Sequence, residues 1–80
     1  MSNRAPQATR PVPPERLIFA SNFRKARKEA KLTQQDITNR TGFAQSWISE
    51  VENGRSTINL DNMAILAELV GKPLWKLLVP

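Results

Sequence analysis

Apolar residues recur at intervals of three and four positions through residues 15–80, and nowhere do they alternate with polar residues over a sustained stretch. This spacing is typical of amphipathic α-helices rather than of half-buried strands. The apolar positions are Leu17, Phe19, Ala20, Phe23 and Ala26, followed by Arg27, in the first predicted helix, and Leu60, Met63, Ala64, Leu66, Ala67 and Val70 as the inner stripe of the fourth. The sequence therefore predicts an all-α fold, and 80 residues suffice for one small domain.

The composition narrows the possible functions. The chain contains no histidine and no cysteine, which removes the usual zinc ligands, disulfides, thiol nucleophiles and imidazole bases. We therefore expect neither a metal nor another cofactor, and no nucleophile–base pair points to an enzyme. The remaining class is a small binding module, with 12 basic and 7 acidic residues and a formal net charge of +5.

The N-terminus differs in composition from the rest of the chain. Residues 1–14 hold four of the six prolines, together with Arg4 and Arg10, and almost no large apolar side chains. We predict a flexible arm there and a folded domain at residues 15–80. The arm either reaches a DNA groove or makes no contact. It lacks the apolar segment of a secretory signal, and no run approaches the roughly 20 apolar residues that cross a bilayer, so we expect a cytoplasmic protein with no membrane contact.

Five helices are predicted in the domain. Pro14 suits the start of the first, Thr33 with Asp36 resembles a capping box before the second, and Asn59 is an N-cap candidate for the fourth. Gly42 ends the second helix because glycine adopts the left-handed conformation easily. The predicted helices cover residues 15–31, 34–40 or 34–41, 45–52, 60–70 and 74–79.

The second and third predicted helices have the arrangement of a helix-turn-helix, since both are short and a glycine turn joins them. The window 34–53, QQDITNRTGFAQSWISEVEN, resembles the helix-turn-helix of the Cro and phage-repressor family, also called the xenobiotic-response-element family. The resemblance continues in order through LTQ at 32–34, ENGR at 52–55, NLDNM at 59–63 and GKPLWKLL at 71–78. It covers about residues 17–79 and implies a compact, five-helix, lambda-repressor-like DNA-binding domain.

Three positions depart from the family pattern. Thr38 stands where the family usually has alanine, and Thr41 stands where it often has an aliphatic residue. A threonine hydroxyl can bond to a carbonyl one turn earlier, so we expect neither change to break the motif. Ala44 precedes the third helix where the family usually offers a serine or threonine N-cap, and this loss is expected to cost about 1 kcal/mol.

The resemblance implies that four residues at the start of the third helix and one turn further on read bases: Gln45, Ser46, Ser49 and Glu50. A glutamine amide can form two hydrogen bonds with adenine, serine can bond either base type, and glutamate can accept from the cytosine amino group. The alternative is a solvated polar face. It applies most to Glu50, because phosphates repel a carboxylate that has no donor beside it.

Six residues are candidates for contact with the DNA backbone: Gln34, Arg40, Trp47, Asn53, Arg55 and Ser56. The first turn of the second helix favours a phosphate, and family members use the glutamine matched by Gln34 there and to brace the glutamine matched by Gln45. Residues 53, 55 and 56 match backbone-contacting positions of the family. Trp47 either packs against the second helix or reaches a phosphate, and Arg40 is either a flanking contact or solvated.

The first helix carries a cationic face and one expected structural ion pair. Arg27 and Glu52 match a pair that is largely buried under the recognition helix in some family members, and we predict the same role here. Lys28 and Lys31 are interpreted as solvated. For Arg24 and Lys25 both solvent and DNA remain open.

The last predicted helix is unusually apolar for a chain end. Its residues Leu74, Trp75, Leu77 and Leu78 suit a two-fold interface, and members of the resembled family usually dimerise. The resulting hypothesis is a bacterial or phage transcriptional regulator, a repressor or autoregulator, that binds an inverted repeat of double-stranded DNA as a homodimer. The alternatives are a restriction-modification controller, an antitoxin that holds a toxin, and a protein-interaction domain that has lost DNA binding.

Overall fold

A computed structural model describes residues 11–80, so the arm residues Arg4 and Arg10 lie outside the described residues. The described part forms five α-helices and contains no strand. The helices are α1 Pro14–Glu29, α2 Gln34–Thr41, α3 Gln45–Glu52, α4 Leu60–Leu69 and α5 Leu74–Leu77. The predicted all-α, five-helix fold is confirmed. None of these five helices is long and apolar enough to cross a membrane.

Local sequence explains where three of the helices begin. Pro14 occupies the first position of α1, where its ring sets a helical φ and its missing N–H leaves no donor unpaired. Before α2, the Thr33 hydroxyl accepts from the N–H of Asp36 at 3.0 Å, and the Asp36 carboxylate accepts from the N–H of Thr33 at 2.8 Å. Before α4, the Asn59 side chain accepts from the N–H of Asn62 at 2.7 Å. The capping box and the second cap are therefore present as predicted.

Three helices end with the same backbone motif. After α1, α3 and α4, the N–H groups of the two residues beyond the C-cap donate back to carbonyls of the last turn, and the first of those residues has a left-handed φ. These residues are Lys31, Gly54 and Gly71, with φ of 61°, 71° and 73°. This turn ends α1 at Glu29, two residues before the predicted boundary, and it places a lysine in a conformation that glycine tolerates better.

The core is built from apolar side chains of all five helices. The largest fully buried members are Phe19, Phe23, Ile37, Ile48, Leu66 and Val51. The two phenylalanine rings of α1 stack with centroids 5.9 Å apart. The inner stripe predicted for α4 is wrong at two positions, since Leu60 is 65% exposed and Ala64 is exposed as well. Leu60 and Ala64 lie one turn apart on α4, on a side that faces solvent. Leu17, an apolar position of α1, is 51% exposed.

Candidate nucleic-acid interface

α2 and α3 pack against each other across a three-residue turn that begins at Gly42, where φ is 82°. Thr41 stabilises this turn, because its hydroxyl donates to the carbonyl of Ile37 at 2.8 Å and accepts from the N–H of Phe43 at 3.0 Å. Thr38 behaves differently. Its hydroxyl oxygen is buried and has no hydrogen-bond partner in the described chain. The expected bond to the preceding turn therefore forms at one threonine and not at the other.

No side chain caps the start of α3. Ala44 provides no side-chain cap, as its residue type predicts, and its carbonyl accepts from the N–H groups of Trp47 and Ile48. The N–H groups of Gln45 and Ser46 have no partner among residues 11–80. Unpaired amides at the positive end of the helix dipole favour an anion.

The structure brings the four predicted base-reading residues together on the outward face of α3. Gln45, Ser46 and Glu50 are exposed and Ser49 is half-buried, while Ile48 and Val51 on the opposite face are fully buried. The side chains of residues 45, 46, 49 and 50 make no hydrogen bond within the part of the chain that is described. All four are therefore available to an external partner.

A buried ion pair lies beneath this face, at the positions that the resemblance implies. The Arg27 guanidinium donates from Nε to Glu52 Oε2 at 2.6 Å and from Nη2 to Glu52 Oε1 at 3.0 Å. The two side chains are only 9% and 2% exposed. Nη1 of the same arginine donates to the carbonyl of Leu32 at 2.8 Å. The pair is bidentate and each of the three guanidinium nitrogens has a hydrogen-bond partner, which is the arrangement that a buried charge requires.

Gln34 joins this cluster instead of bracing Gln45. Its Nε2 donates to Glu52 Oε1 at 3.1 Å, whereas the expected bond to Gln45 is absent from the described residues. The physical reason is that a buried carboxylate is a stronger acceptor than an exposed amide. Glu52 consequently links α1, α2 and α3, and it holds Gln34 at the first turn of α2. The carbonyl oxygen and second N–H of the Gln34 amide remain available.

The other predicted backbone contacts surround α3. Asn53 and Arg55 are exposed immediately after the helix, and Ser56 is half-buried with its hydroxyl donating to the carbonyl of Thr57 at 3.2 Å. Arg40 is exposed in the last turn of α2. Residues 53, 55 and 56 thus follow α3 directly in the chain, and Arg40 belongs to the helix that packs against α3.

Trp47 packs within the protein. Its ring meets Phe43 edge-on, with centroids 4.9 Å apart and an angle of 63° between the planes. The side chain is half-buried against the core. The contact is with the turn between α2 and α3, and the indole N–H makes no hydrogen bond among the described residues.

Arg16 is a residue that the sequence did not single out. Its Nη2 donates to the Thr57 hydroxyl at 3.1 Å, and its Nη1 lies 3.5 Å from the Gly54 carbonyl, a weak hydrogen bond. These contacts attach the loop after α3 to the start of α1. The only signal in the sequence was the membership of Arg16 in the group of basic residues on the first helix. Lys28 and Lys31 are exposed, as expected for solvated side chains, and Lys25, for which both roles were open, is exposed too.

Asp36 adds a fixed negative charge to the first turn of α2. Its hydrogen bonds from the backbone and the side chain of Thr33 lower the pKa of the carboxyl below its ordinary value, and the nearby charge of Arg40 acts in the same direction. The carboxylate is therefore ionised at neutral pH. It stabilises the positive end of the α2 dipole, and through the capping box it fixes the first turn of α2 to Thr33, the residue before the helix.

The four apolar residues of the predicted dimer interface do not share one surface. Trp75 is 63% exposed and Leu74 and Leu78 are half-buried, but Leu77 is 3% exposed and belongs to the core. The side-chain amide of Asn22 on α1 donates to the carbonyl of Leu77 at 3.1 Å and holds α5 in place. Leu77 thus stabilises the protomer, and among these four it is Trp75 that presents most of its side chain to solvent.

Comparison with known proteins gives matches in both sequence and fold. A family model described as a helix-turn-helix domain matches residues 20–78. The chain is 34% identical over 65 residues to an uncharacterised HTH-type transcriptional regulator, y4dJ, of Sinorhizobium fredii, a match that covers 81% of this chain and 84% of the relative. A crystal structure of a hypothetical transcription factor, NHTF, from Neisseria superposes with a TM-score of 0.76 at 28% identity, covering 89% of this chain and 85% of that one. The clp gene regulator ClgR from C. glutamicum shares the fold, with a TM-score of 0.77 at 20% identity over 85% of this chain and 87% of that one.

Proposed function

This chain belongs to the helix-turn-helix domain family of transcriptional regulators, and we propose that it represses transcription by binding an inverted repeat of double-stranded DNA as a homodimer. One observation carries the proposal. The outward face of α3 presents four polar side chains that have no partner within residues 11–80, and a bidentate ion pair satisfies the buried charges directly beneath them. A face organised in this way is suited to forming its hydrogen bonds with the edges of bases.

Each residue of the face has a defined chemical role in this proposal. Gln45 lies in the first turn of α3, the part of a recognition helix that enters the major groove, and its amide can form two hydrogen bonds with adenine. Ser46 and Ser49 donate to or accept from the neighbouring bases. Glu50, one turn along, accepts from a cytosine amino group. Together these residues select the sequence of a half-site.

Backbone contacts position this helix. Gln34 at the start of α2 is linked to the end of α3 through Glu52, Asn53 follows directly, and Arg55 is exposed beyond it. Contacts of this kind fix the register of the protein on the duplex without reading its sequence. They also make binding weaken steeply with salt, because each neutralised phosphate releases counterions.

The homodimer is proposed to form through the α4–α5 end of the domain. Four large apolar side chains are exposed there, Leu60 and Ile65 on α4, Trp75 on α5 and Val79 just after α5. Exposed aromatic and aliphatic residues of this size are typical of protein interfaces, where tryptophan often dominates the binding energy. A two-fold dimer would place its two α3 helices on half-sites about 34 Å apart, one turn of B-DNA.

Selection of bound duplexes from a random DNA pool at about 0.15 M salt tests sequence reading. We expect enrichment of a two-fold symmetric site for the unaltered chain. For Gln45→Ala we expect loss of preference at one base pair of each half-site, a discrimination of about 1–3 kcal/mol. Because Gln45 is exposed, the thermal unfolding of the Gln45→Ala variant should match that of the unaltered chain.

The selection also shows how the proposal would fail. If no sequence is enriched, or if Gln45→Ala selects the same site with the same stringency, the outward face of α3 does not read bases. Lys72→Gln serves as the control variant, because Lys72 is an exposed residue after α4 and lies outside the reading face. It should select the same site as the unaltered chain.

Sedimentation equilibrium of Trp75→Ser tests the dimer. We expect a dimer for the unaltered chain and a dissociation constant at least about 30-fold larger for the variant, as for loss of an interface residue worth about 2 kcal/mol. Val12→Ser removes another exposed apolar side chain at the N-terminal end, and it should leave the dimer intact. A monomer for the unaltered chain on its selected duplex would contradict the dimer proposal.

A further inference from the structure

Four residues along one side of α1, namely Ser21, Arg24, Lys25 and Lys28, form a polar and cationic strip that the proposed contacts to bases and phosphates do not use. This α1 strip is one wall of a groove of about 420 Å³, and the opposite wall is formed by Glu52 and Asn53 at the end of α3. The groove is therefore continuous with the residue that the proposed function places against the DNA backbone.

The α1 strip connects the two groups of proposed phosphate contacts. At the start of α1, the contact from Arg16 to the Thr57 hydroxyl places the helix beside the loop after α3, which carries Arg55. Two turns further along, Arg24 Nε lies 3.9 Å from Glu52 Oε1, the same oxygen that accepts from Gln34. Arg24 thus lies between the start of α2 and the end of α3.

The charges in the groove leave a positive surplus. Glu52 is already neutralised by Arg27, which forms two hydrogen bonds with it, whereas Arg24 meets the carboxylate only at 3.9 Å and is 57% exposed. Two guanidinium groups therefore share one carboxylate. Lys25 and Lys28 at the rim add to the surplus, and both are exposed. A weak ion pair of this kind orients Arg24 without consuming its Nη1 and Nη2 donors.

We infer that Arg24, with Lys28 one turn away, contacts the DNA backbone between the phosphates bound by Gln34 and by Asn53. This inference builds on the proposed DNA binding and adds α1 to the protein surface that follows the strand. The planar guanidinium of Arg24 binds a phosphate through two hydrogen bonds, while Lys28 acts as a point charge. Because phosphates are the same in every sequence, these contacts raise affinity without changing the preferred site.

The test measures dissociation constants between 0.05 and 0.3 M salt, on the selected site and on a scrambled duplex of equal length. Because each substitution removes a contact from both protomers of the proposed homodimer, Arg24→Gln and Lys28→Gln should each reduce the slope of log affinity against log salt by about 1.8, and should weaken binding about 30-fold at 0.15 M salt. The factor should be equal on both duplexes. Lys72→Gln removes the same charge from a residue that does not line this groove, and it should leave the slope unchanged.

Two further measurements distinguish a phosphate contact from an effect of charge alone or of lost folding. Arg24→Lys keeps the charge and loses the second hydrogen bond, so it should retain the slope of the unaltered chain and lose part of the affinity. Thermal unfolding of each variant shows whether the fold is intact, and since both side chains are exposed the midpoint should not move. Unchanged slopes for Arg24→Gln and Lys28→Gln, with normal binding to the selected site, would overturn this inference and leave the proposed function standing.

The same measurements also show whether sequence reading fails while the α1 contact holds. Equal affinity of the unaltered chain for the selected and scrambled duplexes would overturn sequence reading, while a reduced slope for Arg24→Gln on the same duplexes would still support the α1 strip. Failure to bind either duplex at 0.05 M salt would overturn both.

Discussion

The two halves of this domain are stabilised by different interactions. In the half that carries α2, α3 and the adjoining side of α1, α2 buries a single residue completely, Ile37, and the helices are joined by the capping box and the cluster around Glu52. In the half formed by α4 and α5, the helices are held by Leu66, Ala67 and Leu77 in the core. We refer to these as the polar half and the apolar half.

The difference follows from what each half presents to solvent. A helix of eight residues that must keep one side polar has only one apolar side with which to hold its position. The polar half therefore depends on hydrogen bonds and on a buried ion pair, whose geometry fixes the orientation of α3. The apolar half depends on non-directional packing, which tolerates exposed residues such as Leu60 and Trp75. Precise orientation matters for reading bases, and the directional contacts lie where it is needed.

The largest expected effect is at the ion pair. Arg27→Ala leaves the buried carboxylate of Glu52 without its main partner, which is expected to lower the free energy of unfolding by about 3–5 kcal/mol. Phe23→Ala, which removes a fully buried ring of the apolar core, is expected to cost a similar 3–5 kcal/mol for a different reason, the cavity it leaves. Urea denaturation of both variants gives the two values.

The double variant Arg27→Met, Glu52→Leu distinguishes the two mechanisms. Replacing both members of a buried ion pair by apolar residues is often neutral, so we expect it to be considerably more stable than Arg27→Ala. It should nevertheless bind the selected DNA more weakly, because Gln34 loses the acceptor that holds it. If Arg27→Ala costs less than about 1 kcal/mol, or if the double variant is no more stable than the single one, the polar half is not organised by this pair.

The next largest effect concerns the two threonines of α2. Thr38→Val removes a buried hydroxyl that has no partner in the described chain while keeping the shape of the side chain, and we expect about 1–2 kcal/mol of stabilisation. Thr41→Val removes a hydroxyl that bonds to Ile37 and Phe43 and should destabilise by about 1 kcal/mol. Thermal unfolding of the pair measures both. Equal signs for the two variants would contradict the assignment of hydrogen bonds in α2.

Local signals in the sequence were sufficient to predict the helix-turn-helix. The predicted bounds of α3 agree with the structure, and those of α2 agree to within one residue, because a capping box, a glycine turn and a short apolar period act over distances of a few residues. The outward position of Gln45 follows from the same period. These features depend on residues that are neighbours in sequence.

Contacts between distant residues were not predictable in the same way. Arg16 meets Thr57 across 41 residues, and Gln34 reaches Glu52 rather than Gln45 because the fold places a buried carboxylate beside it. The orientation of α5 was equally inaccessible, since this single turn is apolar on several sides and the period cannot show that Leu77 is its inward residue. Which of several apolar residues becomes buried is decided by the arrangement of the other helices.

A smaller effect on stability is expected at the left-handed turns that end α1 and α4, where the two halves use different residues. Lys31 ends α1 and Gly71 ends α4, both with a left-handed φ. Lys31→Gly relieves the backbone strain of a residue with a Cβ and should stabilise the chain by up to about 1 kcal/mol. Gly71→Ala should destabilise by about 1 kcal/mol through strain alone, since a Cβ there would meet nothing within 4 Å. Equilibrium denaturation in urea checks both, and stabilisation by Gly71→Ala would refute the argument.

The smallest expected effect is a difference between the two halves in how the stability of a helix start depends on pH. Hydrogen bonds from Thr33 lower the pKa of Asp36 in the folded chain, so its contribution to stability is present above the pKa of the unfolded chain and is lost as the pH falls through the folded value. The cap of α4 uses the amide of Asn59, which does not titrate. Below about pH 4, amide hydrogen exchange should therefore show opening of the first turn of α2 before that of α4.

Asp36→Asn and Thr33→Val identify the source of this acid sensitivity. The difference in unfolding free energy between the unaltered chain and Asp36→Asn should shrink as the pH is lowered from 7 to 3, because protonation removes the same charge that the substitution removes. In a Thr33→Val background the difference should already be smaller at pH 7, because the Thr33 side chain that helps to lower the pKa of Asp36 is gone, while the backbone N–H that donates to the carboxylate remains. A difference that is independent of pH in both backgrounds would show that the carboxylate charge does not stabilise α2, and the start of the polar half would then depend on the Thr33 hydroxyl alone.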